Sequence, residues 1–240
     1  MRISNIPSQN KAIYKHNDMD DLKRYLDGVP QDMERVMVIF DGIFSMRGDN
    51  APIREINAVC KAYDSRFKDG VITAVDDSHG IGAYGDTGRG TPEYCGASPD
   101  IIVGTFGKAF GVNGGFIAGS PTLIEAVRQK ADTYIYTNPL SVVDCAAAIS
   151  ALDICAGKEG TALLKSLKER TAQFRQGLSD QGRESILGPH PVVPLMVRDT
   201  KKTHDLVKYL FDYGVLETFA RLPQFSCAES APSVISFSFL

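Results

Sequence analysis

Val71–Gly80 reads VITAVDDSHG: a run of apolar and β-branched residues followed at once by Asp76, Asp77, Ser78 and His79. A short apolar run without polar alternation reads as a strand buried on both faces, which belongs to a mostly parallel sheet. Open α/β sheets take their ligands beyond the carboxyl ends of such strands. Two acids and a histidine delivered there are costly to desolvate, which points to a ligand. The plainer alternative is a solvated turn in which Asp77 or Ser78 caps a short helix.

The same pattern extends in both directions. Arg35–Phe40 (RVMVIF), Asp100–Gly104 (DIIVG) and Gly115–Ala118 read as further strands, and DGIFSMRGDN after the first of them reads as a loop. Pro52–Phe67 is helical, with Ile53, Ile56, Val59, Cys60 and Tyr63 on one face at 3.6-residue spacing. Pro121–Asp132, an Ala-rich and buried Val142–Cys155, and an amphipathic Thr161–Gln181 follow as helices. The stretch GPHPVVP then breaks helix, and Val192–Val197, Lys202–Tyr213 and Val234–Leu240 read as strand, helix and closing strand. Strands alternating with helices predict an α/β large domain over residues 1–170 and a partial α+β small domain over 171–240. Ala12–Lys15 reads as a strand lacking the elements that normally precede it, and SVISFSFL stops within a strand. The large domain is therefore expected to be incomplete on its N-terminal side.

Composition narrows the function classes. With 240 residues, 43% hydrophobic and 23% charged, the chain is that of a globular protein with a sizeable core. A net charge of −3 argues against nucleic-acid and anionic-membrane partners. No apolar stretch approaches the roughly 18–20 residues that span a bilayer, and MRISNIPSQNK carries no secretory signal. Five cysteines without a C-x-x-C pair fit reduced thiols and a cytoplasmic location. Four histidines without an i, i+4 pair predict no metal site.

The second chemical element is Gly104–Gly111, GTFGKAFG. Its glycines allow the backbone to approach a ligand closely. A lysine at such a strand exit, here Lys108, has its pKa lowered by partial burial and becomes nucleophilic, as capture of an aldehyde requires; the alternative is a snorkelling surface lysine. Thr105 stands three residues earlier, in reach of a phosphate. An acid for a heteroaromatic nitrogen, an imidazole for a neighbouring oxygen and a reactive lysine together suit pyridoxal 5′-phosphate (PLP), whose pyridinium is an electron sink. Two motifs are rejected. Gly80–Gly85 matches G-x-G-x-x-G, yet GDTGRGTPEYCG follows where a pyrophosphate-binding helix should open. Gly107-Lys108 fails as a P-loop, because position 102 is Ile and position 109 is Ala.

DGIFSMRGD, AVDDSHGIGAYGDTGRG and GTFGKAFGVNGGF together resemble the α-oxoamine synthases, PLP enzymes that condense an amino acid with an acyl-CoA. KHNDMDDL and Gly88–Cys95 are most similar to the glycine C-acetyltransferase branch. The resemblance implies the PLP fold-type I large domain, a three-layer α/β/α arrangement around a mostly parallel sheet. It implies that Lys108 carries the cofactor and acts as general base, that Asp76 pairs with the pyridinium nitrogen, and that His79 bonds the phenolic oxygen and assists catalysis. Ser45 is implied near that oxygen and Thr105 at the phosphate. Thr137 and Asn138 match a stretch that reaches the phosphate of a neighbouring subunit, implying a homodimer with shared sites. The resemblance also implies a long preceding segment, with an aromatic residue that stacks on the cofactor. Where the family carries an arginine for the substrate carboxylate, this chain has Ser236, which cannot make a bidentate, charge-assisted pair. The expected activity is condensation of an amino acid, glycine first, with an acyl-CoA. The rival expectations are a catalytically impaired remnant and, more remotely, an NAD-binding oxidoreductase resting on Gly80–Gly85.

Overall fold

The computed structural model describes residues 6–186, 188–215, 218–221 and 233–238, the last two stretches as backbone strands. Its central sheet has the order β1-β4-β5-β6. Strands β1 (Val36–Asp41), β4 (Val71–Asp76) and β5 (Ile101–Thr105) run parallel, and β6 (Gly115–Ala118) is antiparallel at the edge. The register sets Asp41 beside Asp76, and Asp76 beside Val103, so the carboxyl ends of three strands lie level. The mostly parallel α/β expectation holds.

One face of this sheet is closed by α1 (Met19–Gly28) and α2 (Ile53–Tyr63). Asp18 caps α1, its Oδ1 accepting from the backbone N–H groups of Asp20 at 3.1 Å and Asp21 at 2.9 Å. Leu22 and Leu26 of α1 meet Ile53, Ile56, Val59 and Cys60 of α2 over Val38, Phe40 and Val75 of the strands. Strand side chains alternate between faces. Phe40 and Val75 therefore point into this core, and the neighbouring Asp41 and Asp76 point to the opposite face.

Beyond β6 come α4 (Pro121–Lys130), the short α5 (Asp132–Tyr136), α6 (Val142–Ala156) and the long α7 (Lys158–Asp180). A second sheet has the order β7-β9-β8, built from β7 (Val192–Met196), β8 (Thr218–Arg221) and β9 (Ser233–Ser238), all antiparallel, with α8 (Thr200–Asp212) between β7 and β8. Ser236 lies in β9, paired with Pro194 and Thr218.

Several expectations need correction. Ala12–Lys15 forms no strand; the Lys15 N–H is spent on Asp21 Oδ2 at 2.7 Å and Ile13 stands exposed, so the segment is a lead-in to α1. The loop DGIFSMRGDN contains a hairpin of β2 (Ile43–Phe44) and β3 (Asp49–Asn50), and the loop after Gly80 contains a helical turn, α3 (Thr91–Cys95). Helix α6 is not buried: Ala148 alone is enclosed, while Val142 is 85% and Val143 77% exposed. Its Ala-rich sequence is apolar on every side, which reads as burial without saying what buries it. The closing strand is described as Ser233–Ser238; Phe239 and Leu240 lie outside the described residues, as do residues 222–232 between β8 and β9.

Candidate active site

Strand β4 divides two adjacent acids between two tasks. Asp77 follows the strand toward the α1–α2 side and is fully buried. Its carboxylate accepts from the Thr91 N–H at 2.8 Å and the Thr91 hydroxyl at 2.6 Å, fixing the start of α3. Three glycines wall it in. A Cβ at Gly42, Gly80 or Gly90 would fall within 2.0, 2.3 or 1.9 Å of its oxygens. Burial pushes the Asp77 carboxyl up to about 6, against the downward pull of the Thr91 bonds. Asp77 is a structural hub: it holds the start of a short helix, as the alternative reading had it, but from a fully buried position rather than a solvated turn.

Asp76 occupies the other face. Its Oδ1 accepts from the Ser78 N–H at 3.1 Å and the Ser78 hydroxyl at 2.5 Å, which orients the carboxylate at the strand end. His79 follows in the turn, with Nδ1 enclosed and unpartnered. Burial, then the positive charge of Lys108, depresses its pKa to about 4, with Asp76 opposing. The ring is therefore neutral near pH 7.

Lys108 lies in the loop joining β5 to β6. Phe106 N–H donates to Gly114 O at 2.9 Å and Val112 N–H to Phe106 O at 2.8 Å, closing the loop; Gly111, at φ +64°, supplies its left-handed turn. Phe106 packs against Phe110 and Phe116. Gly104 lets β5 pass under Ile81, where a Cβ would come within 2.0 Å of Ile81 Cδ1. Half-buried Lys108 is held below the ordinary lysine pKa by burial, while Asp76 and Asp41 draw it back upward. Asp76, His79 and Lys108 thus form one electrostatically coupled group.

Thr105, on the same face of the sheet as Asp76 by alternation, donates its hydroxyl to Gly114 O at 3.0 Å and accepts from the Gly107 N–H at 3.1 Å. Ser45 sits in the turn of the β2–β3 hairpin, four residues beyond Asp41. Thr137 and Asn138 stand exposed after α5. Asp41 was not singled out in the sequence, though it ends the strand paired with β4. An acid closing an apolar strand next to one that delivers Asp76 is the signal that marks it. Gly80–Gly85 forms a loop that opens no helix, as expected.

The profile of the aminotransferase class I and II family matches residues 2–230. An 8-amino-7-oxononanoate synthase of Bacillus subtilis is 36% identical over 221 residues, covering 91% of this chain and 54% of that protein. Among solved structures, the serine palmitoyltransferase of Sphingomonas wittichii superposes with a TM-score of 0.82 at 27% identity, covering 94% of this chain and 55% of that one. A variant of the S. paucimobilis serine palmitoyltransferase with a bound PLP–myriocin aldimine superposes with a TM-score of 0.84, also at 27% identity and with 94% and 55% covered. The chain spans about half the length of the curated relatives it matches, and 8-amino-7-oxononanoate synthases are among them. Among the described residues, no helix is long and apolar enough to cross a membrane. The sequence motifs, the sheet that presents them and the profile agree: this chain belongs to the aminotransferase class I and II family, among relatives that are α-oxoamine synthases.

Proposed function

We propose that the chain holds PLP on Lys108 and is part of a cytoplasmic enzyme that condenses an amino acid, glycine in the first instance, with an acyl-CoA. The observation that carries this reading is the coupled group at the strand ends: a half-buried lysine with a depressed pKa, a neutral histidine with an orphaned Nδ1, and an oriented carboxylate. When bound, PLP supplies an electron sink for charge developing at the amino-acid α-carbon. The residues fit that group. Asp76, anchored by Ser78 through Oδ1, keeps a proton on a ring nitrogen. His79 would meet the phenolic oxygen through its ring, whose Nδ1 has no partner among the described residues. Burial raises the fraction of Lys108 with a free electron pair, which suits it both to attack an aldehyde and to accept the α-proton. Thr105 would take the phosphate by exchanging its bond to Gly114, and Ser45, in the hairpin turn beyond Asp41, would serve the phenolic oxygen. Thr137 and Asn138 would serve a second copy; their setting among exposed Tyr134, Ile135, Tyr136 and Val142 supports a contact there.

Adding PLP to the purified chain is expected to give the visible absorbance of lysine-bound PLP, lost in Lys108→Ala. An unchanged spectrum in that variant would sink the assignment. Ser236 favours a second reading, an impaired relative of such enzymes, since a missing buried charge pair costs about 2–5 kcal/mol. Ketone formation from glycine and acetyl-CoA separates the two.

A further inference from the structure

We propose that Asp41 is a second acidic residue of this site, a positioning residue that acts with Asp76 to hold positive charge on the Lys108 nitrogen. The register carries the inference. Asp41 and Asp76 are direct partners at the ends of parallel strands β1 and β4, with the Gly42 N–H donating to Asp76 O at 2.8 Å just beyond them. Parallel partners project from the same face, so the two carboxylates lie side by side. That face is opposite the α1–α2 core and is the one that Thr105 shares.

Their chemistry differs. Asp76 is tied to Ser78 by two hydrogen bonds, whereas the Asp41 carboxylate makes none among the described residues. Asp41 stands exposed at the end of a strand whose alternate residues Val38 and Phe40 are buried, and a carboxylate there with no structural bond acts through its charge. Among the described residues, the charged and titratable groups that face this corner are Asp41 on β1, Asp76 and His79 from β4 and its turn, and Lys108 from the β5–β6 loop. Removal of water, then the charge of Asp76, pushes the Asp41 carboxyl above its ordinary value, and Lys108 opposes this. Lys108 feels both acids as stabilisers of its cationic form. Two carboxylates around one amine create a site whose net charge is −1 with the lysine protonated and −2 without it. Loss of Asp41 therefore favours the neutral amine and lowers the pH at which the proton leaves.

The decisive measurement needs no cofactor. The full chain is treated with an amine-reactive probe, trinitrobenzenesulfonate, across a range of pH, and labelling of Lys108 is read by peptide mass spectrometry. Asp41→Asn is expected to move the midpoint to lower pH by roughly half a unit, so that Lys108 labels roughly threefold faster below the midpoint; Asp41→Glu returns it to the wild-type position. An unmoved midpoint in Asp41→Asn, with a moved one in Asp76→Asn, overturns the proposal. Should Asp41→Asn fail to fold, Asp41→Ser carries the same test. The spectral midpoint of lysine-bound PLP provides a second readout that rests on the function proposed above. A wild-type chain that never develops that absorbance defeats the cofactor reading but leaves the labelling result to decide the role of Asp41.

Discussion

The two sides of this molecule use apolar residues in opposite ways. On the α1–α2 side, Ile53 and Ile56 are wholly enclosed against Val75 and Phe40, and side chains from four elements close on one another within the chain. On the α5–α6 side, Tyr136 is 84% and Val142 85% exposed, although the sequence there is the more apolar. Apolar character tells how strongly a segment seeks cover; its periodicity tells where the cover lies. Helix α2 has polar residues opposite its apolar stripe and so declares its face, whereas α6 has no such contrast.

The comparison can be broken most directly in the packed half. Ile56→Ala removes an enclosed side chain, and urea unfolding is expected to show a loss of about 2–5 kcal/mol. A loss below 1 kcal/mol would mean that the α1–α2 face is looser than its burial implies. Next in size is the pH response of Asp77, which belongs to the same half. Burial raises its folded pKa to about 6, well above the ordinary carboxylate range. A group raised on folding stabilises most below its unfolded pKa, and that contribution disappears as the pH climbs through the folded value. Wild-type stability should therefore lose on the order of 1–3 kcal/mol from this group between about pH 4 and pH 6. Asp77→Asn, at a lower baseline, should lack that decline; equal slopes in chemical denaturation at several pH values would contradict it. Smallest is Val143→Ser on the open half. Unfolding of the isolated chain should change by no more than about 0.5 kcal/mol, while association measured by analytical ultracentrifugation weakens. A cost matching that of Ile56→Ala would show the α6 face to be enclosed after all.

The sheet was legible because its strands are short unbroken apolar runs ended by glycine or acid, and the observed β1, β4, β5 and β6 lie within a residue or so of the runs read. Ala12–Lys15 misled because its local pattern resembles a strand, while the structure spends the Lys15 N–H on the first turn of a helix. Helix α1 went unread in a segment crowded with acids, where the cap at Asp18 was the only plain signal. Lys108, Asp76 and His79 could be found because each is an expensive residue in an apolar or glycine-rich setting. Asp41 escaped because its importance lies in its register with Asp76, a relation between strands 35 positions apart that no local window contains.

The glycine enclosure of Asp77 has a consequence for how this sequence can vary. Gly42 follows β1 while Gly80 and Gly90 stand at opposite ends of the loop after β4, yet all owe their missing side chains to the same pair of carboxylate oxygens. Alanine at any one of them displaces the aspartate, and a displaced aspartate no longer fixes Thr91 or its own neighbour Asp76. Replacing Asp77 by a smaller residue instead opens room at all three glycines together. Substitutions at these four positions are therefore not independent events: each is tolerable or ruinous according to what the other three already are.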